Sequence, residues 1–135
     1  MKRAAILVSV LASLAVLVAA ENDAYTPDPE WQVPAAAAAK ENPLAGRPDA
    51  AAGGRKLFAR HCAECHGEDG SGLRRAANLR LPSVQEQTDG ALFWKVSNGN
   101  SRRGMPSFSG LPEMQRWQLV LHLRSFRGAG AGAQR

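Results

Sequence analysis

The sequence predicts a small all-α domain, and three observations support that fold class. Apolar residues recur at helical spacing in three segments between residues 49 and 127. No segment alternates apolar and polar residues for long enough to form a sheet. The chain of 135 residues is 44% hydrophobic and 21% charged, which excludes both a disordered chain and an all-apolar membrane bundle.

The first twenty residues have the layout of a secretory signal peptide. Lys2 and Arg3 provide a positive start, residues 4–18 an apolar stretch, and Val18-Ala19-Ala20 a small-residue cleavage pattern. The apolar stretch is short for a membrane-spanning helix, and an uncleaved anchor is the alternative. Cleavage predicts an exported, periplasmic protein and removes two charges from a net charge of +5. No Lys/Arg run with interleaved aromatics indicates nucleic-acid binding.

Residues 21–48 are predicted to form an extended arm, and residues 128–135 a flexible tail. The arm holds five of the eight prolines, with Trp31 as an apolar anchor and a short helix expected at Ala35–Glu41. The tail is rich in glycine and alanine without periodicity. The packed domain is therefore expected at residues 49–127, a size at which a core usually needs a covalent link or a large bound group.

The first predicted helix begins with Asp49 as its N-cap and runs to about Cys62, with Phe58 on its apolar side. It contains the pair Gly53-Gly54, and each glycine costs roughly 1 kcal/mol relative to alanine inside a helix. We therefore expect the second glycine to permit a very close crossing with another helix.

Two further helices are predicted. One runs from Thr88-Asp89 to about Ser97 and is stopped by Asn98-Gly99. The other begins near Pro112 and runs to about Phe126. Their apolar stripes consist of Leu92, Phe93 and Val96 in the former, and of Trp117, Leu119, Val120, Leu121 and Leu123, continued by Arg124, in the latter.

The segment from His61 to His66 contains the pattern C-x-x-C-H, which is typical of haem c attachment. Two cysteines three positions apart at a helix end face one way, so both can form thioethers with the vinyl groups of one porphyrin. The next histidine is then held under the iron. The pattern predicts one covalent haem c bound by Cys62 and Cys65, with His66 as the proximal iron ligand.

Three other chemistries could use the two cysteines. A redox dithiol would need a strand–helix–strand unit, which the pattern does not show. Zinc would need further ligands, yet there is no second C-x-x-C and no H-x-H cluster. A disulfide between Cys62 and Cys65 would account for the cysteines in an oxidising compartment, but not for His66.

The distal iron ligand is expected to be Met105. It lies in the sequence Arg103-Gly104-Met105-Pro106, where glycine permits close backbone approach and proline stiffens the exit. The other candidates are Met114 in the first turn of the third helix, His61 directly before the tether, and His122 among core positions of the third helix.

These motifs resemble a class I, mitochondrial-type, mono-haem c-type cytochrome of the bacterial cytochrome c domain family, over about residues 53–126. The shared elements are Cys62–Gly67, Thr88-Asp89-Gly90, Phe93-Trp94, Asn98-Gly99 and Gly104-Met105-Pro106. The resemblance implies a helical domain around one haem in which the N- and C-terminal helices cross. Gly54 and Phe58 would then pack against Leu119 and His122.

Three positions depart from the pattern of this family. His122 stands where the family usually has an aromatic residue, and Leu111 stands where a serine often caps the last helix. Residues 67–79 contain no proline whose carbonyl could accept a hydrogen bond from the His66 imidazole. The first departure leaves the haem ligands unchanged, whereas the third leaves the acceptor for the His66 imidazole unidentified.

Histidine–methionine ligation predicts one-electron transfer by an electron carrier rather than an enzyme, because both axial positions of the iron are filled. The carrier is expected to be free or an electron-transfer subunit of a respiratory or dehydrogenase complex. The alternative is a haem enzyme or gas-binding sensor in which Met105 dissociates.

The expected partners are redox proteins. Arginines 74, 75, 80, 102 and 103 either form a docking face for an acidic partner or balance the two haem propionates. No nucleic-acid partner is expected, and contact with a membrane is expected only through an uncleaved signal segment or through a complex.

Overall fold

The computed structural model describes residues 27–73 and 75–129, which form helices and loops without a β-strand. The expected signal segment at residues 1–20, residues 21–26 of the arm, Arg74 and residues 130–135 of the tail lie outside the described residues. The elements are α1 (Ala35–Ala38), α2 (Pro48–His61), α3 (Ala63–His66), α4 (Pro82–Gln85), α5 (Asp89–Asn98), a 3₁₀ turn (Ser101–Arg103) and α6 (Glu113–Arg124). The predicted all-α fold class is confirmed.

The three predicted helices correspond to α2, α5 and α6, with different caps in two of them. Helix α2 has Arg47 as its N-cap and Pro48 as its first residue, so the prediction that Asp49 is the cap is wrong. Proline suits a first helical position because its fixed φ is already helical and no N–H is lost. Asp49 lies in the first turn and pairs with the Arg47 guanidinium at 3.1 Å.

Helix α6 has Pro112 as its N-cap and ends at Arg124, two residues before the predicted end. The ends of α5 are as predicted. The Thr88 hydroxyl accepts a hydrogen bond from the Ala91 N–H at 3.1 Å, and Gly99, with φ of 64°, ends the helix. Within the described residues, no helix combines the length and the apolar character that crossing a membrane requires.

The crossing of α2 and α6 organises the domain, and Gly54 makes it possible. A Cβ atom at this position would lie 2.6 Å from the carbonyl carbon of Gln118 and 3.1 Å from Cβ of His122. The closest approach is thus to the backbone at Gln118, with the predicted partner His122 beside it, because helix geometry brings the Gln118 carbonyl to the contact. The other predicted partner, Leu119, packs beside Phe58 in the core.

His122 is a packed core residue, 9% exposed. Its ring lies between those of Phe58 and Phe126, with centroids 5.0 Å from each. The imidazole therefore lies where class I c-type cytochromes usually have an aromatic residue, and it packs against the rings of Phe58 and Phe126. Burial lowers the pKa of His122, which favours the neutral ring.

Two groups of buried apolar side chains form the core. The first comprises Leu44, Ala50, Leu92, Phe93, Trp117 and Val120. The second comprises Phe58, Val96, Leu119, Leu123 and Phe126. Cys62 and Ala63 pack against the second group, so the C-x-x-C-H segment rests directly on the core.

The described part of the arm lies along α5. Its helix α1 spans Ala35–Ala38, shorter than the predicted Ala35–Glu41. The Thr88 hydroxyl donates to the Ala38 carbonyl at 2.6 Å, which joins the arm to the start of α5. Trp31 donates from Nε1 to the Gly99 carbonyl at 2.9 Å, which joins it to the other end.

Candidate functional site

The three residues of the C-x-x-C-H pattern that carry side-chain chemistry lie in one tight turn. Helix α2 ends one residue before Cys62, whose N–H still donates to the Phe58 carbonyl at 2.8 Å. The Cys62 carbonyl then accepts from the N–H groups of Cys65 at 3.2 Å and His66 at 2.9 Å. The first predicted helix thus ends at His61, one residue before its predicted end at about Cys62, and α3 presents the second cysteine and the histidine together.

The two thiols differ in their surroundings. Cys62 is half-buried against the core, whereas Cys65 is exposed, and the two sulfurs are not bonded to each other. Burial, and then the neighbouring Cys65, raise the pKa of Cys62 to about 12. Cys62 is therefore held as a neutral thiol near neutral pH.

The His66 imidazole is held by the protein backbone. Its Nδ1 lies 2.9 Å from the carbonyl oxygen of Ala77. A carbonyl can only accept a hydrogen bond, so Nδ1 carries the proton and Nε2 keeps its lone pair. Burial lowers the pKa of His66, against an opposing effect of the bond to Ala77, and so favours the neutral ring that can bind a metal ion.

The loop that follows His66, residues 67–81, folds back on the motif. The Gly72 N–H donates to the His66 carbonyl at 2.8 Å, and the Leu73 N–H donates to the Cys65 carbonyl at 3.0 Å. We call this segment the proximal loop. These two hydrogen bonds turn the chain back toward His66, and the loop brings the Ala77 carbonyl beside the imidazole although it contains no proline.

The buried side chain of Gln85 joins the proximal loop to the core. Its Nε2 donates to the Leu79 carbonyl at 2.7 Å and to the Leu123 carbonyl at 2.9 Å. Gln85 is only 4% exposed, so these bonds are shielded from water. Nothing in the sequence distinguishes this residue, because a glutamine in a polar segment has no characteristic pattern.

Met105 lies in a separate loop, residues 99–105, which we call the distal loop. Asn100 and Met105 pair through two backbone hydrogen bonds, of 2.9 Å from Asn100 and 3.0 Å from Met105. Gly99 permits this closure, since a Cβ there would lie 2.7 Å from the Met105 carbonyl oxygen. The chain beyond it is fastened by the Phe108 N–H, which donates to the Val96 carbonyl at 3.1 Å. Met105 itself is half-buried.

Several apolar side chains on the core group that carries Cys62, or in the proximal loop, are exposed or only partly buried. Leu73 and Leu81 of the proximal loop are 48% and 46% exposed. Four more are partly buried against the same core group as Cys62: Leu57, Leu79, Phe108 and Leu111. An apolar surface of this kind beside reactive side chains is typical of a ligand site.

Residues 49–123, more than half of the chain, match the family described as "Cytochrome C oxidase, cbb3-type, subunit III". The chain belongs to this family of class I c-type cytochrome domains. The family predicted from the sequence motifs is thereby confirmed. Searches of curated proteins and of solved structures each returned no match.

A cytochrome c domain transfers electrons by means of haem c, and the residues of this one fit that group. It offers two unbonded thiols three positions apart and a neutral imidazole whose Nε2 is not engaged by Ala77. It also offers exposed leucines that a flat apolar group would cover. This donor set and surface match the needs of a covalently attached porphyrin.

The alternative chemistries find less support in this cytochrome c domain. In residues 27–73 and 75–129 there is no strand that could form the unit a redox dithiol needs. Over the same residues, no three His, Cys, Asp or Glu side chains converge to form a metal site.

The other candidates for the distal ligand have different surroundings in the cytochrome c domain. Met114 is 48% exposed in the first turn of α6, and His122 is buried in the helix crossing. His61 packs edge-on against Phe108, with centroids 6.0 Å apart. These positions account for the three side chains without a role in iron binding.

Proposed function

We propose that this cytochrome c domain is a mono-haem carrier that transfers one electron at a time between redox proteins. The observation that supports this most directly is the turn Cys62–His66, whose imidazole is fixed by the Ala77 carbonyl. The carrier acts either as a free protein or as an electron-transfer subunit of a respiratory or dehydrogenase complex.

Cys62 and Cys65 attach the haem, and His66 binds the iron on the proximal side. Each thiol would supply the sulfur of one thioether bond to the haem, by an addition of its S–H that requires no oxidant. The haem supplies an iron that alternates between the ferrous and ferric states. The bond from Nδ1 to the Ala77 carbonyl orients the imidazole and makes Nε2 the ligating nitrogen.

Met105 is the distal ligand in this proposal. Its thioether is a soft donor, and histidine–methionine ligation stabilises ferrous iron and raises the reduction potential. The backbone pairing of Asn100 with Met105 closes the distal loop and fixes the backbone from which the Met105 side chain extends. If His66 and Met105 both held the iron, no site would remain for a substrate or gas, which favours a carrier over an enzyme.

Electrons would be exchanged through an exposed edge of the bound haem, near the exposed Cys65. Arg75 and Arg103 are exposed, whereas Arg80 pairs with Asp69 at 3.3 Å. The exposed arginines suit a partner with acidic groups around its own redox centre, and such steering weakens as salt is raised. Arg74 lies outside the described residues.

The proposed division of the chain is a signal peptide at residues 1–20, an arm at 21–48, a cytochrome c domain at 49–127 and a tail at 128–135. Cleavage after Ala20 would deliver the protein to the periplasm, where haem c is attached to exported chains. N-terminal sequencing of the mature protein tests the cleavage site, and an intact Met1 would contradict it.

Visible spectra of the exported, haem-loaded protein test the function. We expect a sharp, split absorption spectrum after reduction with dithionite and a methionine–iron band in the oxidised form. Carbon monoxide should not bind the ferrous protein at neutral pH. Rapid carbon monoxide binding would instead favour an enzyme or gas sensor, and a colourless protein would contradict haem attachment.

Replacing Met105 by alanine tests the distal ligand. We expect loss of the methionine–iron band and a fall in reduction potential on the order of 0.1 V, because the soft donor is removed. Met114→Ala is the matched control, since it removes an exposed methionine of α6. A Met105→Ala protein that keeps its potential would show that another group binds the iron.

A further inference from the structure

The distal loop projects from the end of α5 into water. Ser101, Arg102, Arg103 and Gly104 are exposed, and a Cβ at Gly104 would meet no atom within 4 Å. The pairing between Asn100 and Met105 closes the loop but does not by itself attach it to the core. Exposed loops of this kind open at low free-energy cost unless contacts from elsewhere restrain them.

The arm supplies such contacts at the base of the distal loop. The Trp31 indole N–H donates to the Gly99 carbonyl at 2.9 Å. The Asn100 side-chain amide donates to Asp28 at 3.0 Å. The two loop residues bonded in this way lie 68 and 72 positions from their partners, so this attachment exists only in the folded chain.

The arm also reaches the exposed tip of the loop. The Arg102 guanidinium pairs with the Glu30 carboxylate, and its Nε lies 3.9 Å from Oδ2 of Asp28. The side chains of Arg102 and Glu30 are 62% and 69% exposed, so water and salt screen that pair. The Asp28 side chain is only 8% exposed, which makes its bond to Asn100 the better-shielded contact.

The arm is itself attached to a rigid part of the molecule. The Lys95 ammonium on α5 lies 4.6 Å from the centre of the Trp31 ring, at a distance suited to a cation–π interaction. Farther along, α1 rests on the first turn of α5, where a Cβ at Gly90 would lie 2.9 Å from the Ala38 carbonyl oxygen. Restraint on the distal loop therefore passes through the arm to a core helix.

We propose that Asp28 and Trp31 are positioning residues for Met105. By holding Asn100 and Gly99, they restrict the distal loop to one arrangement and so keep the methionine sulfur in one place. The importance of this for the iron rests on the proposed ligation by Met105. Both residues lie outside the family match at residues 49–123, so that match does not report on them.

Amide hydrogen exchange in the haem-loaded protein tests the restraint directly. Trp31→Phe keeps an aromatic ring near Lys95 but removes the indole donor, and Asp28→Ala removes the acceptor for Asn100. We expect each change to speed exchange of the Asn100 and Met105 amides by about tenfold, as the loss of one hydrogen bond allows. The Leu119 amide in α6 should be unaffected and reports that the fold is intact.

Glu41→Ala is the matched control, because Glu41 is an exposed carboxylate farther along the same arm. It should leave exchange in the distal loop unchanged. If Trp31→Phe and Asp28→Ala also leave that exchange unchanged, the arm does not restrain the loop and the proposal is overturned.

The methionine–iron band of the oxidised protein is the second readout. Trp31→Phe and Asp28→Ala should weaken this band and lower the reduction potential, whereas Glu41→Ala should not. Faster exchange with an unaltered band and potential would overturn the positioning role. A wild-type protein that lacks the band would instead contradict Met105 as the ligand, while the exchange data would still report on the loop.

Discussion

The proximal and distal loops are held in place in opposite ways. On the proximal side, His66 bonds to a carbonyl only 11 residues away, and the loop folds back through its own backbone. On the distal side, the base of the loop bonds to Asp28 and Trp31, which are about 70 residues away. Short closures have a small entropic cost and form with the motif itself. The distal arrangement needs the arm to be docked on a folded domain.

Both loops depend on the crossing of α2 and α6, and Gly54→Ala should disrupt them together. The added Cβ would meet the Gln118 backbone, which cannot move without separating the helices. We expect the free energy of unfolding to fall by about 3 kcal/mol or more, as for severe overpacking. Denaturant unfolding of the haem-loaded protein, with both loops followed by hydrogen exchange, measures this.

Gly53→Ala is the control for that experiment. Its Cβ would meet only the Gln118 side chain, at 2.9 Å, which is flexible enough to move aside. The better helix propensity of alanine should then leave stability unchanged or raised by up to about 1 kcal/mol. Equal losses for the two variants would show that the crossing is not the common support.

Gln85→Leu should affect the proximal loop and spare the distal one. The change removes the side-chain donor of the part-buried bond to the Leu79 carbonyl and of the buried bond to the Leu123 carbonyl. We expect a loss of about 2 kcal/mol in unfolding free energy and faster exchange in residues 67–81, with exchange at Met105 unchanged. Gln87→Leu, which removes an exposed bond to the Ser83 carbonyl, should cost less than about 0.5 kcal/mol. Equal disturbance of both loops by Gln85→Leu would contradict their independence.

Acidification should release the distal loop from the arm, and we expect it to disturb the structure less than Gly54→Ala or Gln85→Leu does. The Asn100 amide, then the Glu30 N–H, lower the pKa of Asp28 below its ordinary 3.8, helped by Arg102 and Arg103 and opposed by burial. The ionised carboxylate therefore stabilises docking above pH 3.8, and this stabilisation is lost as pH falls through the lower pKa of the docked state.

The NMR signal of the Trp31 indole N–H follows that release. We expect its shift to change below pH 3.8 as the arm leaves the Gly99 carbonyl. In Asp28→Asn, which has no titrating carboxyl at this position, the change should be absent. The same titration in both proteins would assign it to another group.

Local features were predictable from the sequence. Thr88 begins α5 and Gly99 ends it, as expected, because each acts on residues within one turn of itself. The need for a close approach at Gly54 was also visible, since two glycines in a helix require a packing reason. The cap of α2 was wrongly placed at Asp49, where the preference of proline for the first helical position prevailed over an acidic cap.

The contacts that hold the two loops were not predictable. Any backbone carbonyl can accept from an imidazole, so nothing in the sequence distinguishes Ala77 from its neighbours. Trp31 was recognisable as an apolar anchor, but not the carbonyl to which it donates. Helical periodicity reports which face of a segment is buried and carries no information on which distant segment will cover it.

The bond that orients His66 ends on a peptide carbonyl, and that has a consequence for mutational tolerance. Every amino acid at position 77 brings the same oxygen, so the imidazole is buffered against single substitutions there. The distal loop has no such protection, because Asp28 and Trp31 hold it by their side chains. Under the proposed ligation by Met105, we therefore expect the arm to be the region where one base change alters the reduction potential and leaves haem attachment intact.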